Sequence, residues 1–433
     1  MNIYLDTLGC RLNFSEMETL GRQLQAAGHF LVATPEAADV CVLNTCTVTA
    51  EAARKSRQMA RRLARHNPSA RLAVTGCYAT LAPETVVSLP NVHLVVDNQQ
   101  KENLDELLQP WSGELDGERW RRLAPEASAQ PSVRTRAFVK VQDGCNNSCT
   151  FCIVTVARGQ ERSRRVGDIV ADIQRLGAEG YQEAVLTGVH LGGYGRDLGT
   201  NLHELTRAIL SRSDLPRLRL SSLELWDLEA NFFDLWSESG GRLCAHLHLP
   251  LQAGCDRTLK RMARRNRTED FRQLVDVARA RIPGLVITTD LIVGFPGETE
   301  ADFEESCRFA ADMRFAHIHV FPYSARQGTA AAGFSNQVPV AERRRRVASM
   351  QALALQSAQS VRESFLGTVR PVLWESHEFV NGGTDPVWRG LTDNYLRVET
   401  VAPSGMNLEN KIEMARLHAV NGTVIEAGLV DRK

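Results

Sequence analysis

A run of three closely spaced cysteines constrains this chain more than any other feature of its sequence. Cys145, Cys149 and Cys152 follow the spacing C-x3-C-x2-C. Thiolates are preferred ligands of iron–sulfur clusters, and three of them in one short loop can hold three irons of a [4Fe-4S] cube. A structural zinc is the alternative, but it needs a fourth Cys or His ligand, and none follows closely. The loop is therefore predicted to bind a cluster whose fourth iron stays open for a small molecule.

Length and composition bound the class of protein. A chain of 433 residues is too long for one core, so two to four domains are expected. No apolar run reaches membrane length, and the N-terminus lacks the charged and apolar regions of a signal peptide, so we expect a cytoplasmic protein with no membrane partner. In a reducing compartment, the grouped members of the ten cysteines are expected to bind metal instead of forming disulfides.

The formal net charge is zero, but basic residues are concentrated locally. Residues 51–71 carry seven Arg or Lys against one Glu, residues 257–267 carry six with no acid, and residues 343–346 are four consecutive arginines. Such patches can contact phosphates, although each one alone is equally consistent with a solvated helix face. Together they make RNA a plausible partner.

The first hundred residues alternate short apolar runs with helical stretches. The predicted strands are residues 3–8, 40–44, 72–75 and 93–96. This alternation predicts a small parallel sheet covered by helices, an open α/β domain. Cysteines lie at or just after three of the strand ends, at Cys10, Cys46 and Cys77. Ligands of open α/β sheets gather at the carboxyl ends of strands, so the three thiols are expected to converge, although buried structural thiols are the alternative.

Two further regions differ in character from the first. A linker rich in Pro, Ser, Gly and charge is predicted from about residue 109 to residue 134. Six predicted strands follow it, separated by helical lengths, at residues 138–141, 184–187, 218–221, 247–251, 286–293 and 317–321. Six βα units predict a partial barrel with its catalytic groups at the carboxyl ends of the strands. Short strands at residues 369–374, 395–401, 412–417 and 423–426 predict a small β-barrel at the end of the chain.

The cysteine run resembles that of the radical S-adenosylmethionine (SAM) enzymes, in which the open iron binds SAM. Phe151 between the last two cysteines matches their pattern, and the run TDLIVGFPGE at residues 289–298 resembles their fifth-strand motif. The resemblance implies a (β/α)6 partial TIM barrel. It also implies that the cluster on Cys145, Cys149 and Cys152 is catalytic and reduces SAM to a 5′-deoxyadenosyl radical.

Motifs outside the barrel narrow the resemblance. The segments LGCRLN at 8–13, NTC at 44–46 and TGC at 75–77 look like the three cysteine motifs of the methylthiotransferase N-terminal domain, and residues 390–398 resemble the RNA-contacting TRAM domain. The chain is therefore identified as a member of the radical SAM methylthiotransferase family. This implies three domains, namely an α/β domain at 1–112, a radical SAM core at 131–362 and a TRAM β-barrel at 366–433.

The branch of the family is indicated by shorter runs. HVFPYSARQGT at 319–329 and RLSS at 219–222 resemble the branch that acts on N6-threonylcarbamoyladenosine in tRNA. The resemblance implies methylthiolation of adenine carbon 2 beside the anticodon, a sulfur-transferase reaction. A second [4Fe-4S] cluster, carrying the sulfur, is implied at Cys10, Cys46 and Cys77. The implied partners are tRNA, SAM, a low-potential electron donor such as flavodoxin or ferredoxin, and a sulfur source.

Contacts to SAM are predicted in the barrel. Thr187 and Gly188 end a strand where a glycine permits close backbone approach, and Gln252 and Asp290 match pocket positions of the family. The basic segment RGQERSRR at 158–165 follows the cluster loop and is predicted to pair with the SAM carboxylate or an RNA phosphate, with a solvated loop as the alternative.

Other functions share part of this pattern. One is a methylthiotransferase that acts on isopentenyladenosine in tRNA or on an aspartate of a ribosomal protein. Another is a noncatalytic iron–sulfur protein that binds RNA or transfers electrons. Cleavage of SAM to 5′-deoxyadenosine distinguishes the enzymes from the noncatalytic protein.

Overall fold

The computed structural model describes residues 1–114, 135–379, 385–403 and 405–430. Two compact units are present. The first unit comprises Met1–Val133, Asp143–Glu161 and Ser324–Ala332, and the second comprises Arg134–Gln142, Arg162–Tyr323 and Gly333–Lys433. Within the described ranges, no helix has both the length and the apolar character needed to cross a membrane.

A five-stranded parallel sheet, ordered β2-β1-β3-β4-β5, forms the centre of the first unit. Its strands are β1 Asn2–Thr7, β2 Phe30–Leu31, β3 Val40–Thr45, β4 Arg71–Gly76 and β5 Val92–Val96. The helices of the unit are α1 Arg11–Ala26, α2 Ala50–His66, α3 Cys77–Leu81, α4 Pro83–Val87, α5 Leu104–Glu114 and α6 Val154–Arg158. All residues of β3 are buried, as expected for a central parallel strand covered on both faces. The predicted open α/β fold is confirmed.

The predicted linker begins too early in the sequence. Residues 109–114 continue helix α5, even though Pro110 lies inside it. Leu104 and Leu108 are fully buried in the core with Ile3 and Leu24, and this packing holds the helix on the sheet. The remaining predicted linker residues, 115–134, lie outside the described residues.

The second unit contains six parallel strands that follow one another in chain order. They form two three-stranded sheets, and parallel bridges Leu218↔Leu243 and Ser222↔His248 link the two. The strands are β6 Arg136–Lys140, β9 Glu183–Thr187, β10 Arg217–Leu220, β11 His246–His248, β12 Val286–Val293 and β13 His317–Pro322, while β7 Gln142–Asp143 and β8 Arg162–Ser163 are short. The predicted partial barrel is confirmed, although β11 is shorter than expected.

Helices cover the apolar side of these strands. They are α7 Val166–Ala178, α8 Leu202–Arg212, α9 Asp234–Glu238, α10 Asp256–Arg261, α11 Thr268–Arg281, α12 Glu300–Asp312 and α13 Val340–Ser364. Leu186 and Leu218 of the strands belong to one buried cluster with Ile173 and Leu205 of the helices. Their apolar contacts leave polar side chains to the other face of the strands.

A closed five-stranded barrel, ordered β14-β15-β16-β18-β17, follows α13. Its strands are β14 Val369–Glu378, β15 Val387–Thr392, β16 Arg397–Val401, β17 Ile412–Asn421 and β18 Val424–Leu429. Trp374, Trp388 and Ile425 fill its core. The strand predicted from residue 395 begins at Arg397 because Tyr395 has a φ of 75°, which a strand does not allow. The predicted small barrel is confirmed.

Candidate functional site

Three cysteines of the first unit lie at the carboxyl ends of neighbouring strands. Cys10 follows β1 and caps α1, Cys46 follows β3, and Cys77 follows β4 and begins α3. Gly9 has a φ of 111°, and a Cβ on it would lie 2.7 Å from Cys46 Cβ and 2.9 Å from Cys46 Sγ. The backbone before Cys10 therefore packs directly against Cys46, which only glycine permits. The structure brings this sequence-predicted set together.

The environment of these thiols suits a cationic ligand. The pKa of Cys46 is raised to about 11, chiefly by burial and also by the neighbouring Cys10 and Cys77 thiolates, while the charge of Arg158 opposes the rise. Cys46 and Cys77 are buried, and Cys10 is exposed. Grouped thiolates with little water around them repel one another unless a positive ion joins them. The donor set therefore fits an iron–sulfur cluster.

The cysteine run forms a compact loop in the same unit. The Cys152 amide donates to the Cys149 carbonyl at 3.1 Å, and the Cys145 amide donates to the Gly159 carbonyl at 3.0 Å. The pKa of Cys152 is raised to about 11, chiefly by burial and also by the Cys149 and Cys145 thiolates. The loop thus places three mutually repelling thiols together, and this set also fits a cluster.

Arg158 at the end of α6 lies in a buried polar network, not at the surface. Its Nη1 donates to Glu16 Oε1 at 2.9 Å and to Asp143 Oδ1 at 3.0 Å. Its Nη2 donates to Asn13 Oδ1 at 2.7 Å. The guanidinium is 2% exposed. Arg158, the first arginine of the predicted basic segment at 158–165, therefore has its charge already paired inside the unit.

Glu16 extends this network to a second cation. The Lys101 ammonium lies 2.8 Å from Glu16 Oε2 and donates to Asn44 Oδ1 at 3.2 Å. Asn44 Nδ2 in turn donates to the Asn13 carbonyl at 3.2 Å. These residues were not predicted from the sequence. The available signal was the position of Asn13, one helical turn after Cys10 on α1.

The predicted SAM contacts lie in the second unit. Thr187 ends β9, and its carbonyl accepts from the Val141 amide at 2.9 Å. A Cβ on Gly188 would lie 2.9 Å from Gln142 Oε1, which also accepts from the His190 amide at 2.9 Å. Gly188 therefore lets the backbone approach Gln142 closely, as predicted for a strand-end glycine.

Gln252 and Asp290 are brought into contact through their backbones. The Gln252 amide donates to the Asp290 carbonyl at 2.9 Å. Gln252 has a φ of 70°, a left-handed conformation that is uncommon for residues other than glycine and is frequent at functional sites. The Asp290 carboxylate lies 3.4 Å from His248 Nε2. His248 and His246 also contact Thr288 Oγ1, at 2.9 and 3.0 Å, so both histidines face the same side of β11.

A buried ion cluster connects the partial barrel to the small barrel. Arg219 on β10 donates to both carboxylate oxygens of Glu183 on β9, at 2.7 and 3.1 Å. It also donates to the Asp393 carbonyl at 3.1 Å and lies 4.8 Å from the ring of Tyr395. The ring of His246 also stacks on Tyr395, with the ring centroids 4.6 Å apart. Arg219, the first residue of the branch-specific run RLSS at 219–222, therefore holds the small barrel against the partial barrel.

Comparisons with known proteins agree with this architecture. The model described as "Uncharacterized protein family UPF0004" matches residues 2–97, and that of the radical SAM superfamily matches residues 139–310. The solved structure of the radical SAM methyltransferase TsrM from Kitasatospora setae, with cobalamin and a [4Fe-4S] cluster bound, has a TM-score of 0.58 at 15% identity. The match covers 77% of each chain. At this identity the likeness shows the fold.

Curated relatives cover nearly the whole chain. The threonylcarbamoyladenosine tRNA methylthiotransferase MtaB of Bacillus subtilis (strain 168) is 37% identical over 401 residues, 90% of this chain and 88% of the relative. The tRNA-2-methylthio-N(6)-dimethylallyladenosine synthase of Staphylococcus epidermidis is 31% identical over 438 residues, 98% of this chain and 84% of the relative. The fold and the grouped cysteines define a radical SAM enzyme. The chain belongs to the radical SAM methylthiotransferase family, in its threonylcarbamoyladenosine tRNA branch.

The predicted family is thereby confirmed, and so are the cofactors. SAM and [4Fe-4S] clusters are the cofactors of this enzyme. Neither the family models nor the relatives' names identify the residues that bind SAM and the clusters. The two cysteine sets and the four predicted SAM contacts stay predictions at this point.

Proposed function

We propose that this protein replaces the hydrogen at carbon 2 of N6-threonylcarbamoyladenosine, beside the anticodon of tRNA, with a methylthio group. The observation that carries the proposal is the presence of two separate three-cysteine sites in one compact unit of a chain 37% identical to MtaB. A single cluster is enough for radical generation, so a second site indicates a second task, which in this reaction is to deliver sulfur.

Each cysteine set is proposed to hold one [4Fe-4S] cluster. Cys145, Cys149 and Cys152 hold the cluster that binds SAM, and the auxiliary cluster is held by Cys10, Cys46 and Cys77. When bound, these clusters and SAM supply the one-electron chemistry and the sulfur that substitution at an aromatic C–H bond requires. The protein's contribution is to supply three thiolates and no fourth, so that each cluster keeps an open iron.

Four residues of the second unit are proposed to bind SAM. Thr187 and Gly188 lie at the carboxyl end of β9, where a Cβ on Gly188 would lie 2.9 Å from Gln142 Oε1. The Asp290 carboxylate, partly exposed and close to His248, is suited to accept hydrogen bonds from ribose hydroxyls. Gln252 is held beside it in its left-handed conformation and orients its amide toward the same ligand.

The proposed domains are those expected from the sequence. The auxiliary-cluster domain spans 1–112, the radical SAM core 131–362 and the TRAM domain 366–433. The end of α13 at Ser364 and the start of β14 at Val369 support the last boundary. The small barrel after that boundary is proposed to contact tRNA.

A second tRNA contact is proposed on helix α2. In the other two basic runs, several arginines are paired with acids, as shown by Arg257 with Asp302 and Arg345 with Glu300. Among the residues that the structure describes, the exposed side chains of Arg61, Arg62 and Arg65 on α2 form no ion pair. Free exposed guanidinium groups attract phosphates, so α2 is the basic run best suited to RNA.

The remaining partners follow from the chemistry. A low-potential electron donor such as flavodoxin or ferredoxin reduces the SAM-binding cluster, and a sulfur source restores the sulfur that each turnover consumes. Since tRNA and such donors are found in the cytoplasm, we place the protein there.

Mass spectrometry of tRNA nucleosides tests the proposed function. The chain is expressed in a bacterium that lacks its own threonylcarbamoyladenosine methylthiotransferase. The expected result is 2-methylthio-N6-threonylcarbamoyladenosine in bulk tRNA, and none with a Cys149→Ala variant. Methylthiolated isopentenyladenosine alone would assign the enzyme to the other tRNA branch. No modified nucleoside, from protein shown to contain its clusters, would contradict a tRNA substrate.

A further inference from the structure

Arg158 connects the loop of the SAM-binding cluster to the helix that follows Cys10. On one side its Nη1 contacts Asp143, whose carboxylate also accepts from the Gly144 amide at 2.8 Å. On the other side it contacts Glu16 and Asn13 of α1. One side chain thus joins two segments that are 142 residues apart in the sequence.

The contact reaches the auxiliary cysteines at two points. Asn13 Oδ1, which accepts from Arg158, lies 3.7 Å from Cys10 Sγ. Asn98 Nδ2 donates to the carbonyl of Ala157, the residue before Arg158, at 2.8 Å and lies 3.6 Å from Cys77 Sγ. The end of α6 is therefore linked to two of the three auxiliary thiols through single amide side chains.

This network contains four buried charged side chains. Two cations, Arg158 and Lys101, and two anions, Glu16 and Asp143, lie within it. Both anions pair with Arg158, while Nη2 of Arg158 donates to Asn13 Oδ1, which lies 3.7 Å from Cys10 Sγ. Replacing a buried ion pair by apolar groups is often neutral or stabilising, so stability alone does not account for four buried charges.

We propose that Arg158 is a positioning residue that fixes the SAM-binding loop against the auxiliary cysteines and holds a positive charge beside the auxiliary cluster. This inference rests on the cluster ligands proposed above. A positive charge stabilises the more negative, reduced state of a cluster and strengthens its thiolate ligation, because second-layer contacts tune both potential and affinity. Arg158 thereby makes the auxiliary cluster easier to reduce and harder to lose.

The test uses the full chain with Cys145, Cys149 and Cys152 all changed to Ala, so that only the auxiliary cluster remains. In this parent, Arg158→Met removes the charge at similar side-chain volume. Arg158→Lys keeps the charge but loses the planar guanidinium group and its several N–H donors. Arg22→Met, at a half-buried arginine on the same helix as Glu16 whose side chain donates to Thr19 Oγ1, is the matched control. The readouts are the midpoint potential from a redox titration followed by electron paramagnetic resonance, and the rate of iron loss to a chelator.

Arg158→Met is expected to shift the midpoint potential to a more negative value and to release iron about 10- to 100-fold faster. Arg158→Lys is expected to keep the potential close to that of the parent, as is Arg22→Met. A merely structural role would change cluster occupancy without this dependence of potential on charge.

Three results would overturn the inference. An unchanged potential in a cluster-containing Arg158→Met protein would remove the role of the charge and leave the proposed function intact. Equal shifts, or complete cluster loss, in both Arg158 variants would do the same, because lysine preserves the charge. Absence of any cluster from the parent would refute the proposed auxiliary ligands and the inference with them.

Discussion

Arg219 and Glu183 form a bidentate ion pair inside the partial barrel. Nε and Nη2 of the arginine lie 2.7 and 3.1 Å from the two carboxylate oxygens. Both side chains are fully buried. Arg217 lies 2.9 Å from the same carboxylate and donates to the Thr392 carbonyl of the small barrel at 2.9 Å. One carboxylate therefore supports two arginines that hold the small barrel on the partial barrel.

Removal of the Glu183 charge is expected to destabilise the protein strongly. In Glu183→Gln, the buried guanidinium groups of Arg217 and Arg219 lose their counter-charge, which costs about 3–5 kcal/mol of the free energy of unfolding. Urea unfolding measures the change. The control is Glu238→Gln, which breaks an exposed pair with Arg207 and should cost about 0–1 kcal/mol. Equal effects of the two changes would show that the buried pair is not stabilising.

The same carboxylate gives a pH dependence of known sign. Burial alone would raise the pKa of Glu183, but Arg219 and Arg217 hold it down at about 2, against an ordinary value of 4.5. A lowered pKa in the folded state means that the contribution to stability is present above pH 4.5 and is lost as the pH falls toward 2. The difference in unfolding free energy between the parent and Glu183→Gln should therefore be constant above pH 5 and shrink below pH 4.5. A difference that grows on acidification would contradict the assignment.

The substitution Gln252→Gly is expected to lower the affinity for SAM without lowering the stability of the protein. Gln252→Gly removes the cost of a positive φ, about 1 kcal/mol, so the protein should be as stable as the parent or slightly more so. Its affinity for SAM should nevertheless fall, because the amide side chain is lost. Equilibrium dialysis with SAM and urea unfolding measure the two effects. Asn336→Gly, at another position with positive φ, should leave SAM affinity unchanged. Unchanged affinity in Gln252→Gly would exclude Gln252 as a SAM ligand.

Helix α2 is expected to contribute to tRNA affinity through charge. The variant Arg61→Gln, Arg62→Gln, Arg65→Gln should bind tRNA more weakly, and the slope of log affinity against log salt should fall by about one for each lost phosphate contact. Arg345→Gln, which loses an arginine already paired with Glu300 and Glu342, is the control. If the slope stays the same in the triple variant, α2 does not contact the RNA backbone.

The sequence predicted well what depends on local pattern. Apolar runs located four of the five strands of the first sheet and the six strands of the partial barrel, although β2 and β15 were missed. The strand-end positions of Cys10, Cys46 and Cys77 predicted that these thiols meet. Prediction was poorer where distant residues decide the outcome. Arg158 looked like a surface cation because its partner Glu16 is far away in the sequence, and the helix through Pro110 depends on burial of Leu104.

The sequence also did not predict the backbone conformation of two individual residues. Neither Gln252 nor Tyr395 is a residue type that favours positive φ, yet both adopt it, at 70° and 75°. Tertiary contacts enforce these conformations: hydrogen bonds to β12 at Gln252, and stacking between His246 and Arg219 at Tyr395. A pattern of hydrophobicity carries no signal for either.

Iron analysis of anaerobically reconstituted protein tests the central claim most directly, namely that two independent three-cysteine sites each hold one cluster. The intact chain should bind about eight irons. A variant with Ala in place of Cys10, Cys46 and Cys77 should retain about four irons and still cleave SAM to 5′-deoxyadenosine. The same change at Cys145, Cys149 and Cys152 should also leave about four irons but abolish that cleavage. Full iron content after either triple change would contradict the account.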